Sequence, residues 1–170
     1  MRKYIYKNFI IYSLLLTFIF LIPYFLPEVH NGHDLFYHLG RLKGLTNSFI
    51  DMQFLPKIYP YKNYNFGYAS PLFYCDVFLY IPAILYYLGL SLFNSYLIIV
   101  FFSVFLSNYF MMILSKEIIG YNKWNYLSGM LYTFSTYHIV DVFTRAALGE
   151  ILALTFLPLL FLAIYKLFVK

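Results

Sequence analysis

The four longest runs of this chain without Asp, Glu, Lys or Arg are Asn8 to Pro27, Val77 to Ser115, Trp124 to Val140 and Ile151 to Tyr165. A helix needs about 20 apolar residues to cross the roughly 30 Å hydrocarbon core of a bilayer, so these gaps mark where the chain can enter a membrane. With 62% hydrophobic residues, 11% charged residues and a mean hydropathy of +0.71, the composition departs far from that of a water-soluble domain. The reading is an all-α, polytopic helix bundle forming a single module over residues 1–170.

The first run follows the basic stretch MRKYIYKN, as a secretory signal would, but IPYFLPEVHN offers no small-residue cleavage pattern. It therefore reads as an uncleaved span over about 9–26, with Arg2, Lys3 and Lys7 holding the N-terminus in the cytoplasm. The net charge of +5 is scattered over span ends, without the basic stripe that nucleic acid requires. Cys75 is the single cysteine, which excludes an internal disulfide and a cysteine-based zinc site.

The second run, 39 residues long, is nearly long enough for two crossings. Two crossings would put Lys116 and Lys123 outside, against the usual lysine bias; one crossing keeps every lysine-bearing end in the cytoplasm. The preferred topology has four spans, about 9–26, 94–115, 123–140 and 151–168. Residues 27–76 form an outer loop, and 72–90 an interfacial or re-entrant helix pairing with a second one at the outer face. The chain stops where its last span ends, as a fragment or a minimal N-terminal module would.

Within the outer loop, Leu35, Leu39, Leu42, Leu45 and Phe49 recur with helical period. Asp34, His38 and Arg41 fall at i, i+4 and i+7 and form one stripe beside that apolar face. The bland interpretation is an interfacial helix whose polar residues face water; the sharper one is the wall of a site. The topology puts the second polar break, DVFTRAALGE, on the same outer side. There Glu150 suits the first turn of the following helix, Arg145 suits a snorkelling position, and Asp141 can cap or pair with Arg145. His30, His33 and His38 lack the spacing of a zinc site, and His138, inside an apolar run, reads as a packed histidine. YNFGYASPLFY, which includes Tyr68, reads as an aromatic belt or as a loop presenting tyrosine rings to a sugar or lipid head group.

GHDLFYHLGRLKGL, FGYASPLFY, a P…LGLS half-helix, a span ending near SKEIIG and TRAALGEILALTFLPLLF together resemble the bacterial 6-pyruvoyl-tetrahydropterin synthase-related multi-pass membrane proteins. In layout that group is similar to GT-C type membrane glycosyltransferases. The resemblance covers most of the chain but only the N-terminal part of such proteins, and the group carries a glycine after the arginine where this chain has Ala146. It implies a GT-C-like module in the bacterial plasma membrane that transfers a sugar from a polyprenyl-phosphate carrier at the outer face. Asp34 and Glu150 would be the catalytic acids, Asp34 as general base. His33, His38, Arg41, Arg145 and Tyr68 would bind substrate, with an arginine on the leaving phosphate. A divalent cation, Mg²⁺ or Mn²⁺, would suit Asp34 and Glu150. The partners implied are membrane lipid and the carrier-linked sugar; the rival function is a non-catalytic scaffold or lipid-binding subunit of an envelope-polymer assembly.

Overall fold

A computed structural model describes residues 2–26, 32–60 and 62–169, with the side chains of Arg2 and Lys3 excepted. The fold is all-α, and among the described residues the only extended pairing is an isolated antiparallel bridge between Tyr59 and Tyr68. The helices are α1 (Arg2–Leu21), α2 (Leu35–Ile50), α3 (Tyr80–Tyr87), α4 (Leu92–Ile119), α5 (Trp124–Thr133), α6 (Thr136–Ile139) and α7 (Leu148–Val169). Three helical segments among the described residues are long and apolar enough to cross a membrane: Tyr4–Phe25, Leu92–Ile119 and Leu148–Val169. Ile11, Leu15 and Phe18 on α1 and Leu160, Phe161 and Leu167 on α7 stand exposed, an apolar surface suited to hydrocarbon.

The chain divides into two compact units, Met1–His33 with Val100–Lys170, and Asp34–Ile99, the boundary falling inside α4. In the first unit aromatic side chains of α1 and the turn after it pack on those of α5 and the segment that follows: Phe9 on Tyr126 at 5.3 Å, Phe20 on Phe134 at 5.3 Å and Tyr24 on Phe143 at 5.1 Å. The Tyr24 hydroxyl donates to the Val142 carbonyl at 2.6 Å. Gly129 lets α5 approach α4 closely, since a Cβ there would strike Asn108 and Met112. Thr155 on α7 donates to the Ser103 carbonyl on α4 at 3.2 Å, so a hydroxyl that would be orphaned in an apolar setting is satisfied between helices.

In the second unit α2 packs on α3, and the Thr46 hydroxyl donates to Leu42 O at 3.0 Å and Ala83 O at 3.2 Å. Leu35, Leu42 and Leu45 are buried on the face their spacing predicts. The short 3₁₀ turns Ser70–Leu72 and Val77–Leu79 lead into α3, whose eight residues span about 12 Å and cannot cross a bilayer. This short helix stands where the interfacial segment over 72–90 is expected.

The expected span over 123–140 is not a continuous helix. α5 ends at Thr133, Ser135 is extended (φ −61°, ψ 142°), α6 has four residues, and Val140–Arg145 is a π-helical turn. A charge-free run is necessary for a spanning helix but not sufficient: Ser128 and Thr133 hydroxyls bond back to the carbonyls of Asn125 and Gly129, and serine and β-branched threonines crowd the break. The first span also differs slightly, with α1 ending at Leu21 and a 3₁₀ turn carrying Pro23 following it.

The π-helical turn closes on Ala146, which is left-handed at φ 52°, ψ 39°. Its Cβ would lie 2.6 Å from one added at Gly32, while His33 N–H donates to Thr144 O at 3.0 Å, so two chain segments touch backbone to backbone. Gly32→Ala is expected to cost about 1–3 kcal/mol through overpacking. Ala146→Gly, which frees the space and relieves a left-handed alanine, should restore most of that loss in the double variant. A double-mutant cycle on thermal unfolding in detergent measures the coupling, and strictly additive effects would rule the contact out.

Candidate functional site

The polar stripe of α2 is split by burial. Asp34 and His33 are exposed at the start of the helix, whereas His38 and Arg41 are 3% and 4% exposed. Asp34 occupies the N-cap position without a side-chain capping bond, and its carboxylate has no hydrogen-bond or ion-pair partner among the described residues.

Arg41 turns inward and finds its counter-charge at Asp76, not at Asp34. Its Nε donates to Asp76 Oδ1 at 3.1 Å and its Nη2 pairs with the same oxygen; Nη2 also donates to Cys75 O at 3.2 Å. Its Nη1 meets His38 Nδ1 at 3.2 Å, and because a guanidinium only donates, Nδ1 carries the lone pair and the ring proton sits on Nε2. The Tyr59 hydroxyl donates to Asp76 Oδ2 at 2.6 Å, so both carboxylate oxygens are engaged. The guanidinium also lies over the Tyr74 ring at 5.0 Å and the Tyr37 ring at 5.8 Å. Burial, followed by the Arg41 charge, pushes the His38 imidazole down to about 4, leaving it neutral near pH 7. Burial and the bond to Asp76 push the Tyr59 phenol well up. Tyr68 stands by this cluster: its backbone pairs with that of Tyr59, and its half-exposed ring is 6.3 Å from Tyr37.

The other unit has its own arginine cluster. Arg145 Nη1 donates to Asp141 Oδ1 and to Glu150 Oε2, both at 2.8 Å, and Nη2 pairs with Glu150 Oε1. The Tyr137 hydroxyl donates to Glu150 Oε2. The π-helical turn and left-handed Ala146 bring these groups together, a local geometry that recurs at functional sites. Arg145 keeps 37% of its side chain exposed, whereas Asp141 is fully buried and its Oδ2 has no hydrogen-bond partner among the described residues. Burial, then the Glu150 charge, raises the Asp141 carboxyl above the usual range.

Asp34 and Glu150 thus belong to different units. Among the described residues no three His, Cys, Asp or Glu side chains gather as a metal site requires. Both Glu150 oxygens already face Arg145, so a divalent cation there would confront a guanidinium, and the donor set does not fit one. His30 lies outside the described residues, and His138 is buried against Phe20 and Tyr132. Asp76 and Tyr59 are the cluster members that helical spacing does not reveal.

No family model matches the chain, and no solved structure matches it. A Lactococcus lactis subsp. cremoris (strain MG1363) protein, described only as an uncharacterized protein, is 28% identical over 175 residues. The alignment covers 99% of this chain and 28% of that protein, so the chain spans little more than a quarter of the relative's length.

Breaking a buried ion pair from one side costs more than removing it whole. Asp76→Ala is expected to lose about 3–5 kcal/mol of stability, whereas Arg41→Met combined with Asp76→Leu should lose clearly less; thermal unfolding in detergent micelles compares them, and equal losses would deny the pair this role. A pH dependence follows from His38. The unfolded ring takes up a proton near pH 6.5 and the folded ring only near 4, so its stability contribution is complete above 6.5. It declines as the pH falls to about 4, by about 3 kcal/mol in all, and is level below. His38→Gln should therefore show a flatter unfolding midpoint than the parent between pH 6.5 and 4; identical slopes would exclude His38 as the source.

Proposed function

We propose that this chain is the N-terminal part of a GT-C-like membrane glycosyltransferase that moves a sugar from a polyprenyl-phosphate carrier to an acceptor at the outer membrane face. The observation that carries the reading is Asp34: an exposed carboxylate at the head of α2, without a partner among the described residues, in a chain whose other site acids are engaged. A general base must be free to accept a proton. In the transfer, the acceptor oxygen forms the new glycosidic bond, its proton passes to Asp34, and the bond between the anomeric carbon and the phosphate oxygen breaks. Neither arginine is assigned to the phosphate: Arg41 is consumed by Asp76, His38 and Cys75, and Arg145 is paired with Asp141 and Glu150 in the other unit. Tyr68 offers its exposed ring face to a sugar, and His33 stands next to the base. Glu150 is held by Arg145 and Tyr137 within its own unit and takes no part in this step.

The second reading is a non-catalytic membrane scaffold or lipid-binding subunit. It draws on the same self-contained clusters, which resemble internal staples more than ligand-ready groups. Membranes carrying the full chain, supplied with a panel of radiolabelled polyprenyl-phosphate hexoses, separate the two. Asp34→Asn should reduce label transfer by about a hundredfold or more while leaving membrane insertion unchanged. Transfer at the parental rate in that variant would remove Asp34 from the role of base.

A further inference from the structure

A second face of α2 carries a feature that sugar transfer does not use. Gly40, Lys43, Gly44 and Asn47 lie at i, i+3, i+4 and i+7 and share one side of the helix. With Tyr59 and Lys62 they line a cavity of about 400 Å³. Tyr59 forms a wall by laying its ring on Gly44, where a Cβ would come within 2.7 Å, and its hydroxyl is turned away toward Asp76. The Lys62 ammonium occupies the place a Cβ on Gly40 would take. The two lysines therefore converge on a pocket; among the described residues its lining contains no carboxylate, and neither ammonium has an ion-pair or hydrogen-bond partner.

Two cations sharing a partly desolvated pocket repel each other, and burial together with the Lys43 charge pulls the Lys62 ammonium below its usual range. A multiply charged anion removes that repulsion and satisfies both donor sets, and the Asn47 amide adds a neutral donor. We propose that this pocket binds a phosphate-type oxyanion, with room for a diphosphate or a phosphate monoester head group, gripped by Lys43 and Lys62. The site uses none of the residues assigned to transfer and stands if that assignment falls.

The full chain in nonionic detergent is titrated with sodium pyrophosphate, with sodium chloride at matched ionic strength as control. In parallel it is titrated with dioctanoyl phosphatidic acid against dioctanoyl phosphatidylcholine. Saturable rises in unfolding temperature are expected, with affinity falling about tenfold or more in Lys43→Gln/Lys62→Gln. Gly40→Ala, which evicts the Lys62 ammonium, should weaken binding in the same direction. The double variant without ligand should unfold no earlier than the parent, because it loses only repulsion, and Asp34→Asn should bind as the parent does. A response to pyrophosphate identifies a soluble oxyanion as sufficient; a response to phosphatidic acid alone identifies a lipid head group. Absence of both responses, or a response of unchanged affinity in the double variant, overturns the site.

Discussion

The Arg41–Asp76 ion pair governs the second unit. A guanidinium removed from water needs an opposite charge and a full set of acceptors, and Arg41 obtains them from Asp76, Cys75 O and His38 Nδ1. The pair joins the middle of α2 to the turn that opens α3, 35 residues later, and Tyr59 closes the far side of the carboxylate. Several neighbouring properties follow from it. His38 must stay neutral to accept from the guanidinium, Tyr59 must keep its proton to donate, and Gly44 must lack a side chain because the Tyr59 ring lies on it.

The first unit handles its charge differently. Arg145 faces two acids, and Asp141, fully buried with one oxygen unpartnered among the described residues, sits where a negative charge is least tolerated. Its raised affinity for a proton is the physical response to two carboxylates and one cation. The chain gives up regular helix to assemble this group. The π-helical turn shifts the side-chain register after Ile139, and Ala146 adopts a conformation that glycine tolerates better.

Helical spacing and charge gaps foretold α2, its buried leucines and the three long apolar helices, because those features depend on neighbours within a turn or two. They did not foretell that His38 and Arg41 face inward, since the deciding partner, Asp76, is remote in sequence and looks like a helix-flanking acid. Nor could the absence of charge between Trp124 and Val140 reveal the break at Ser135, which depends on hydroxyls competing for backbone carbonyls. The Arg145, Asp141 and Glu150 grouping was nearer to legible because all three lie within ten residues.

One helix therefore presents three chemistries. Its buried edge, His38 and Arg41, is neutralised internally and serves the fold; its head, Asp34, is an acid left exposed; its glycine face, with Lys43 and Lys62, gathers positive charge without an internal answer. A salt-bridged cation is a poor ligand for an outside anion, because binding must first overcome the partner it already has. The groups with unsatisfied demand are thus the ones on which function can rest: a carboxylate lacking a donor and two ammoniums lacking an acceptor among the described residues, supported by a side of the same helix that is locked in place by Asp76.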